Sequence, residues 1–501
     1  MKKVLIFYGS YGGGHLSAAK SISKYLEETY PNKIEVQMVD CIEYINKYIN
    51  KVSTEAYKEL AKKAPWAWKH VYKNSQNGPL SHISNTTNRL MSHKLNQLIQ
   101  EFKPDLIIST HPFSTQMCAV LKKRKKISCK LATILTDFHI HAQWLVLSKY
   151  NDYFFVSNEQ MKQDMIKEKV DENKIYVTGI PVSEKFTKEY DKQKIYKEFG
   201  LSPEKQTILF FAGGEFGLGR DTTYRVLKTF IRLFKELQIV AISGKNKKMN
   251  QKFKELVETT DSEDRVKVLE YTDKVPELMN IVIGVVTKPG GLTVTECLVS
   301  GLPMVIINPI PGQEEENAEF LVNNGIAIWL GKKDNFARKI KNLSREPNKL
   351  EEMGKNAKKL SKPFATSEIS KILISELEKE ADFSNNLVVT TLIKYKTRYL
   401  FLKNDNVLTL LEGPLNLNET PINALNRLSQ SLLDVSLENI SKVGFESIFD
   451  NNKNQTIYLN YKSEIKSIDS NPTIVLLSKD NIKNYKYSDI TEMVLKNLKL
   501  L

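Results

Sequence analysis

The sequence predicts an α/β fold of two Rossmann-like domains facing a cleft, residues 1–181 and 182–380, followed by a small α+β domain over 381–501. Three observations predict it. An apolar strand runs straight into a glycine loop twice, in KKVLIFYGSYGGGH at the start and in QTILFFAGGEFGLG in the middle of the chain, and each is the way a Rossmann domain opens. A third stretch, Ile281 to Ile307, reads as apolar strand, glycine pair, short helix, and second apolar strand, which is a βαβ unit. From about Ala381 the texture changes to Asn-rich loops and alternating strands, so a separate domain begins there.

A chain of 501 residues, 41% hydrophobic and 26% charged, suits a multi-domain globular protein. No run reaches the roughly 18 apolar residues that cross a bilayer. The chain enters a strand at Val4, leaving no room for a signal peptide, so a cytoplasmic protein is expected. Its four cysteines lack metal spacing, as in a reducing compartment. The net charge is +15, and residues 1–181 carry ten of those excess charges, with 26 Lys and Arg against 16 Asp and Glu. A basic first domain calls for an acidic partner. With no nucleic-acid signature in the chain, an anionic membrane surface is the expected one.

Along the first domain, Gly12, Gly13 and Gly14 follow the opening strand, and a helix is expected from about Ser17. His15 stands at the mouth of this loop, where a near-neutral imidazole can take a proton from an acceptor hydroxyl. The spacing is GGGH and not G-x-G-x-x-G, which argues against a dinucleotide enzyme even though Asp40 closes the next strand. Lys62, Lys63, Trp66, Trp68, Lys69, Tyr72 and Lys73 interleave aromatic bodies with ammonium heads, a composition suited to a lipid headgroup layer. A second basic cluster, Lys122 to Lys126, adds to it or is a solvated helix end. Next, the strands PDLIIST and ATILTDF lead to His111 and to Asp137, His141 and Trp144. Polar residues at strand carboxyl ends line the crevice of an open α/β sheet, so Asp137 and His141 are candidates to orient an acceptor or serve as its base. Gly179 and Pro181 mark the hinge.

In the second domain, Gly290 and Gly291 turn the chain into a helix whose unpaired N–H groups and positive dipole end suit a phosphate. Glu296, Glu314, Glu315 and Glu316 cannot serve that phosphate but accept hydroxyls. Phosphate donors beside hydroxyl acceptors describe a sugar nucleotide. No D-x-D pair is present to carry a metal, so the leaving phosphate is expected to rest on the helix N-terminus at Thr293 and on Lys288 or Arg220, with no cofactor required.

The runs TKPGGLTVTE and GLPMVIINPIPGQEEEN resemble the donor site of the two-Rossmann-domain (GT-B) glycosyltransferases, and within them the family 28 enzymes that glycosylate diacylglycerol, among them monogalactosyldiacylglycerol synthases and processive diacylglycerol glucosyltransferases. The resemblance implies that the Gly290/Gly291 turn holds the diphosphate, Glu296 the ribose, and Gln313 with Glu314 the sugar hydroxyls. It places Gly213 and Gly214 near the donor phosphates and the stretch from Tyr271 through Val275 to Met279 against uracil. The relatives share a GGGH-x-x-A-A motif, here Gly12 to Ala19, so Gly13 and Gly14 join His111, His141 and Trp144 on the acceptor side. They also carry a hydrophobic acceptor-side segment where Trp66 to Lys73 stand. The implied activity is inverting transfer of glucose or galactose from its UDP carrier to diacylglycerol or a glycolipid, with His15 or Asp137 as base, on the inner face of the cell membrane. N-acetylglucosaminyl transfer to a polyprenyl diphosphate, or a soluble sugar-nucleotide epimerase, is the alternative.

In the last domain, LLEGPLNLNETPINALNRLSQSLLDVSL resembles a Nudix box, with Gly413, Glu419 and Arg427 on its first fixed positions. Leu428, Ser431, Leu432 and Asp434 replace its metal-binding glutamates and final glycine, so a silenced, Nudix-like accessory domain is expected.

Overall fold

A computed structural model describes residues 1–9, 13–46, 92, 94–212, 220–331, 335–385, 387–404, 407–416, 418–449, 455–469 and 471–501. The chain forms two compact units, Met1–Ile372 and Leu373–Leu501.

The first unit holds two six-stranded parallel sheets. One is built from β1 (Lys2–Tyr8), β2 (Ile34–Asp40), β3 (Leu106–Ser109), β4 (Lys130–Ile134), β5 (Tyr153–Val156) and β6 (Ile175–Val177), in the order β2-β1-β3-β4-β5-β6. The other is built from β7 (Thr207–Phe211), β8 (Gln238–Ile242), β9 (Val266–Leu269), β10 (Gly284–Thr287), β11 (Met304–Ile307) and β12 (Ala327–Leu330), in the order β12-β11-β10-β7-β8-β9. Helices cover both faces, so central strands are buried at every position and largely apolar: β3, β5, β8, β10 and β11 are buried throughout. In the second sheet one core layer gathers Phe210, Ile239 and Phe253, and the opposite layer gathers Leu209, Val240 and Val294, because successive side chains of one strand leave by opposite faces.

Strand order fixes where a ligand belongs. In the first sheet the strand order reverses between β1 and β3, in the second between β7 and β10, and the crevice opens at the carboxyl ends of those parallel strands. The residues that follow β1, β3 and β10 are Gly9, Thr110 with His111, and Lys288 to Gly291. Asp40 is not in such a crevice as a free acid. Its Oδ1 accepts the N–H groups of Ile42 and Glu43, both at 3.0 Å, and so starts the next helix.

The helix expected from Ser17 begins four residues earlier and spans Gly13–Thr29. Ala18, Ala19, Ile22 and Leu26 are buried, and this packing outweighs the cost of about 1 kcal/mol for each glycine in the first turn. His15 therefore sits inside the helix and not in the loop before it.

The second unit carries a mixed sheet of seven strands, β13 (Leu387–Tyr395), β14 (Arg398–Asn404), β15 (Val407–Thr409), β16 (Leu411–Pro414), β17 (Glu438–Phe449), β18 (Gln455–Ile465) and β19 (Ile474–Ser478). β13 pairs parallel with β18, and the other pairings are antiparallel. Val389 and Ile393 pack with Leu425 and Leu428 of the helix Pro421–Leu433, whereas Leu392 packs with Val494 of the helix Asp489–Asn497 on the other face. Glu419 and Arg427 form two hydrogen bonds of 2.9 and 3.0 Å, and Arg427 also donates to the Pro414 carbonyl. Leu428 lies over Gly413, where an added Cβ would come within 2.5 Å of it. Asp434 ends the helix with φ +52°, a left-handed conformation that favours glycine.

Candidate active site

Thr110, directly after β3, grips His15 at two points. Its carbonyl oxygen lies 2.5 Å from His15 Nδ1, and its hydroxyl donates to the His15 carbonyl at 3.0 Å. A carbonyl only accepts, so Nδ1 carries the ring proton and Nε2 holds the lone pair. Thr136 Oγ1 sits 3.0 Å from the same Nδ1. Burial lowers the imidazole pKa to about 4, with the Thr110 carbonyl working against the shift. His15 is thus neutral, with its basic nitrogen chosen by the fold.

Two more histidines adjoin it in the opposite tautomer. His111 Nδ1 accepts the Phe113 N–H at 3.2 Å, capping the helix Pro112–Lys123, and His141 Nδ1 accepts the Gln143 N–H at 3.1 Å. Both therefore carry their proton on Nε2 and can donate there. The rings of His15 and His111 meet edge to face at 4.7 Å. Burial, then the neighbouring imidazoles, hold His111 well below its ordinary value, and burial lowers His141 to about 4. Gly9 makes room for this stack, since a Cβ there would lie 2.6 Å from His111 Cδ2. Trp144 is only 1% exposed, so it forms a wall 6.5 Å from the His15 ring rather than an open acceptor surface.

From the other sheet, the helix Gly291–Ser300 starts at Gly290, which offers no side-chain cap, so the first-turn N–H groups up to Thr293 stay available to an anion. Gly14 meets Leu292 of this helix, with 3.7 Å between an added Cβ and the Leu292 Cβ. Gly291 comes so close to the first sheet that an added Cβ would fall 1.9 Å from the Thr136 carbonyl oxygen. Two helix N-termini, one bearing His15, thus face each other.

Glu296, on the helix Gly291–Ser300, has no hydrogen-bond partner among the described residues, and burial raises it to about 8. Glu314 Oε2 accepts the Ile310 N–H at 2.6 Å, and burial raises its pKa, partly offset by Lys288. Burial lowers Lys288, with Glu314 opposing the shift. Asp137 is 4% exposed and receives amide hydrogens from Gln313 and Asn317. Burial carries it up to about 7; the two amides pull it down and Glu314 and Glu316 push it up.

The structure thus brings together His15, Gly14, His111, Asp137, His141, Trp144, Lys288, Gly290, Gly291, Thr293, Glu296, Gln313 and Glu314. Val275 opens the short helix Val275–Met279, and Tyr271 is exposed. Gly13 begins the helix that bears His15. Gly213 and Gly214 lie outside the described residues, as does the side chain of Arg220, the first residue of the helix Arg220–Leu233. Trp66, Trp68, Lys69, Tyr72 and Lys73 also lie outside them. In the basic cluster Lys122 pairs with Asp152, while 123–126 are exposed. Sequence reading passed over Gly9, Thr110, Thr136 and Asn317. Thr110 and Thr136 stand at strand carboxyl ends, the same signal that singled out Asp137. Among the described residues no helix is long and apolar enough to cross a membrane, and no cluster of three metal-ligating side chains occurs.

The profile of monogalactosyldiacylglycerol (MGDG) synthase matches residues 15–182, and that of glycosyl transferases group 1 matches residues 191–360. A processive diacylglycerol beta-glucosyltransferase of Bacillus pumilus (strain SAFR-032) is 29% identical over 392 residues, covering 77% of this chain and 97% of the relative. The enzyme of that name from Staphylococcus epidermidis (strain ATCC 12228 / FDA PCI 1200) is 32% identical over 326 residues, covering 65% of this chain and 80% of the relative. Among solved structures, UDP-GlcNAc 2-epimerase from Neisseria meningitidis bound to UDP-GlcNAc is similar with a TM-score of 0.51 at 18% identity, over 75% of this chain and 100% of that one. MurG from Acinetobacter baumannii is similar with a TM-score of 0.50 at 15% identity, again over 75% and 100%. At such identities the two structures support the GT-B fold alone.

Proposed function

This chain belongs to the diacylglycerol glycosyltransferases, the family of the MGDG synthases and processive diacylglycerol β-glucosyltransferases, and we propose that it moves a hexose, glucose or galactose, from a UDP-sugar to diacylglycerol or a glycosyl-diacylglycerol with inversion. One observation carries the mechanism: a histidine whose basic nitrogen is fixed by Thr110 faces a helix N-terminus left uncapped by Gly290. His15 Nε2 takes the proton of the acceptor hydroxyl as its oxygen attacks the anomeric carbon, and the bond to the diphosphate breaks on the opposite face. The N–H groups from Gly291 to Thr293, with Lys288 and Arg220, receive the negative charge that develops on the UDP leaving group. Glu296 accepts ribose hydroxyls, Gln313 and Glu314 meet the sugar, and Tyr271 to Met279 flank uracil. His111 offers its Nε2–H to the acceptor, with His141 and Trp144 on the same side. The segment Trp66 to Lys73 and the charge excess of residues 1–181 support attachment to the anionic inner face of the cell membrane.

In the unit Leu373–Leu501, the Glu419–Arg427 pair, Leu428 packed on Gly413 and the left-handed Asp434 support a Nudix-like fold without hydrolase chemistry. Its role is regulation or docking. Pyrophosphohydrolase activity of the full chain that persisted after loss of His15 would contradict that reading.

The deciding assay incubates the chain with diacylglycerol vesicles and either UDP-glucose or UDP-galactose, and measures UDP release, vesicle flotation and lipid products. A β-hexosyl lipid is expected. UDP-sugar consumption with no lipid product, or with an epimerised nucleotide, would overturn the proposal.

Glu296 gives a further expectation. Its buried carboxyl gains hydroxyl partners only from the ribose, so Glu296→Gln should weaken UDP binding by about tenfold, equivalent to ~1.4 kcal/mol. Bonds from hydroxyls favour the ionised form, while the free site titrates near 8. UDP affinity should therefore rise with pH up to about 8 in the parent and lose that slope in the variant, as read by calorimetric titration.

A further inference from the structure

Asn317 is fully buried, and its one side chain spans both halves of the cleft. Nδ2 donates to the Pro289 carbonyl at 3.0 Å and to Asp137 Oδ1 at 3.5 Å, while Oδ1 accepts the Phe138 N–H at 3.0 Å. Pro289 leads into the Gly290/Gly291 turn of the donor half; Asp137 and Phe138 belong to the acceptor half. On their own side these two residues are already immobilised. Ser157 Oγ donates to the Asp137 carbonyl at 2.9 Å and Asn158 Nδ2 to the Phe138 carbonyl at 3.0 Å. Gln313, one turn before Asn317, donates to Asp137 Oδ2, and Phe138 stacks on Phe320 with centroids 5.1 Å apart. The next residue back, Thr136, contacts His15 Nδ1.

We infer that Asn317 is a positioning residue, a clasp whose amide fixes the strand end bearing Thr136 to Phe138 against the diphosphate turn and so sets the distance between His15 and the leaving group. Asp137 is its counterpart on the acceptor half, with both carboxyl oxygens committed to amides of the donor half. That assigns Asp137 to alignment and leaves proton abstraction to His15. The same engagement of Gln313 ties sugar recognition to closure of the cleft. This inference rests on the transferase reading above.

The test uses the full chain with UDP-glucose or UDP-galactose, whichever supports turnover, and diacylglycerol vesicles. Asn317→Ala should lower kcat by about a hundredfold, since small misplacements of reacting groups carry losses of that order, while the Kd for UDP changes less than about threefold. Asp137→Asn should lose about tenfold, because an amide oxygen still accepts from one partner. The exchanged pair, Asp137→Asn with Asn317→Asp, should exceed Asn317→Asp alone, a rescue that a packing role would not produce. Wild-type kcat in Asn317→Ala, equal losses in kcat and UDP affinity, or a turnover abolished by Asp137→Asn and not recovered in the exchanged pair would each overturn the clasp. Should Asn317→Ala fail to fold, Asp137→Asn and the exchange decide. Spin labels at Lys24→Cys and Glu258→Cys, both exposed, supply a readout free of chemistry: the inter-half distance should broaden in Asn317→Ala. An unchanged distance argues against the clasp, whereas a chain that broadens but never turns over UDP-hexose sinks only the transferase reading.

Discussion

His15→Ala is expected to lower kcat by about a thousandfold while the Kd for UDP moves less than about threefold, because the lost group serves the proton in flight and not the nucleotide. The pH profile separates it from Asp137. Burial holds His15 unprotonated down to about pH 4, so in kcat at saturating UDP-sugar, from which the Glu296 binding slope is removed, the break due to His15 should come only near 4. Asp137, at about 7, would as base impose its break near neutrality. Turnover that keeps falling about tenfold per pH unit below 7, beyond the roughly tenfold step that loss of the Asp137 carboxylate allows, or a His15→Ala variant with parental turnover, excludes His15 as the base. The same shift has a stability consequence. His15 binds its proton less readily folded (about 4) than unfolded (about 6.5), so between those values the unfolded state holds more protons and stability falls as pH drops. Thermal midpoints of parent and His15→Ala should therefore diverge in slope between pH 6.5 and 4.

Gly291→Ala is expected to lower kcat/KM by at least about a hundredfold. The added methyl would lie 1.9 Å from the Thr136 carbonyl oxygen, 3.0 Å from its carbon and 3.5 Å from Asp137 Cα. All three are backbone atoms, so no side chain can swing away, and the halves must part by the ångström or so that misaligns reacting groups. The folded core is untouched, so the thermal midpoint should stay near that of the parent and UDP should still bind. Parental turnover in Gly291→Ala would show that catalysis does not require the closed contact. The neighbouring Gly290 differs: among the described residues a Cβ there would meet only Glu314 Oε1, at 3.9 Å, so the protein itself leaves room for a side chain at that position.

These two residues show how the sequence and the fold divided the work. Gly290 and Gly291 stood out because a glycine pair between an apolar strand and a helical run is a local pattern, and Glu296 stood out because an acid on that helix can only accept. The Gly13–Thr29 helix was legible as an element, but its start was not, since glycine propensity argued for Ser17 and the packing of Ala18, Ala19 and Ile22 prevailed. Asp137 was visible as a strand-end acid, yet its engagement by Gln313 and Asn317 was not.

The sequence by itself determined two sheets of buried parallel strands, the turn at Gly290 and Gly291 with the helix that follows it, and the family to which the stretch from Thr287 to Asn317 points. Those features come from periodicities of two and 3.6 residues and from turns a few residues long. Tertiary structure decided which nitrogen of His15 is basic, that Gly9 seats His111, and that Asn317 joins the halves. The partners involved lie 95 residues apart for His15 and Thr110 and 180 for Asn317 and Asp137. A proton's location is set by whichever acceptor folding brings within 3 Å, and no local pattern carries that.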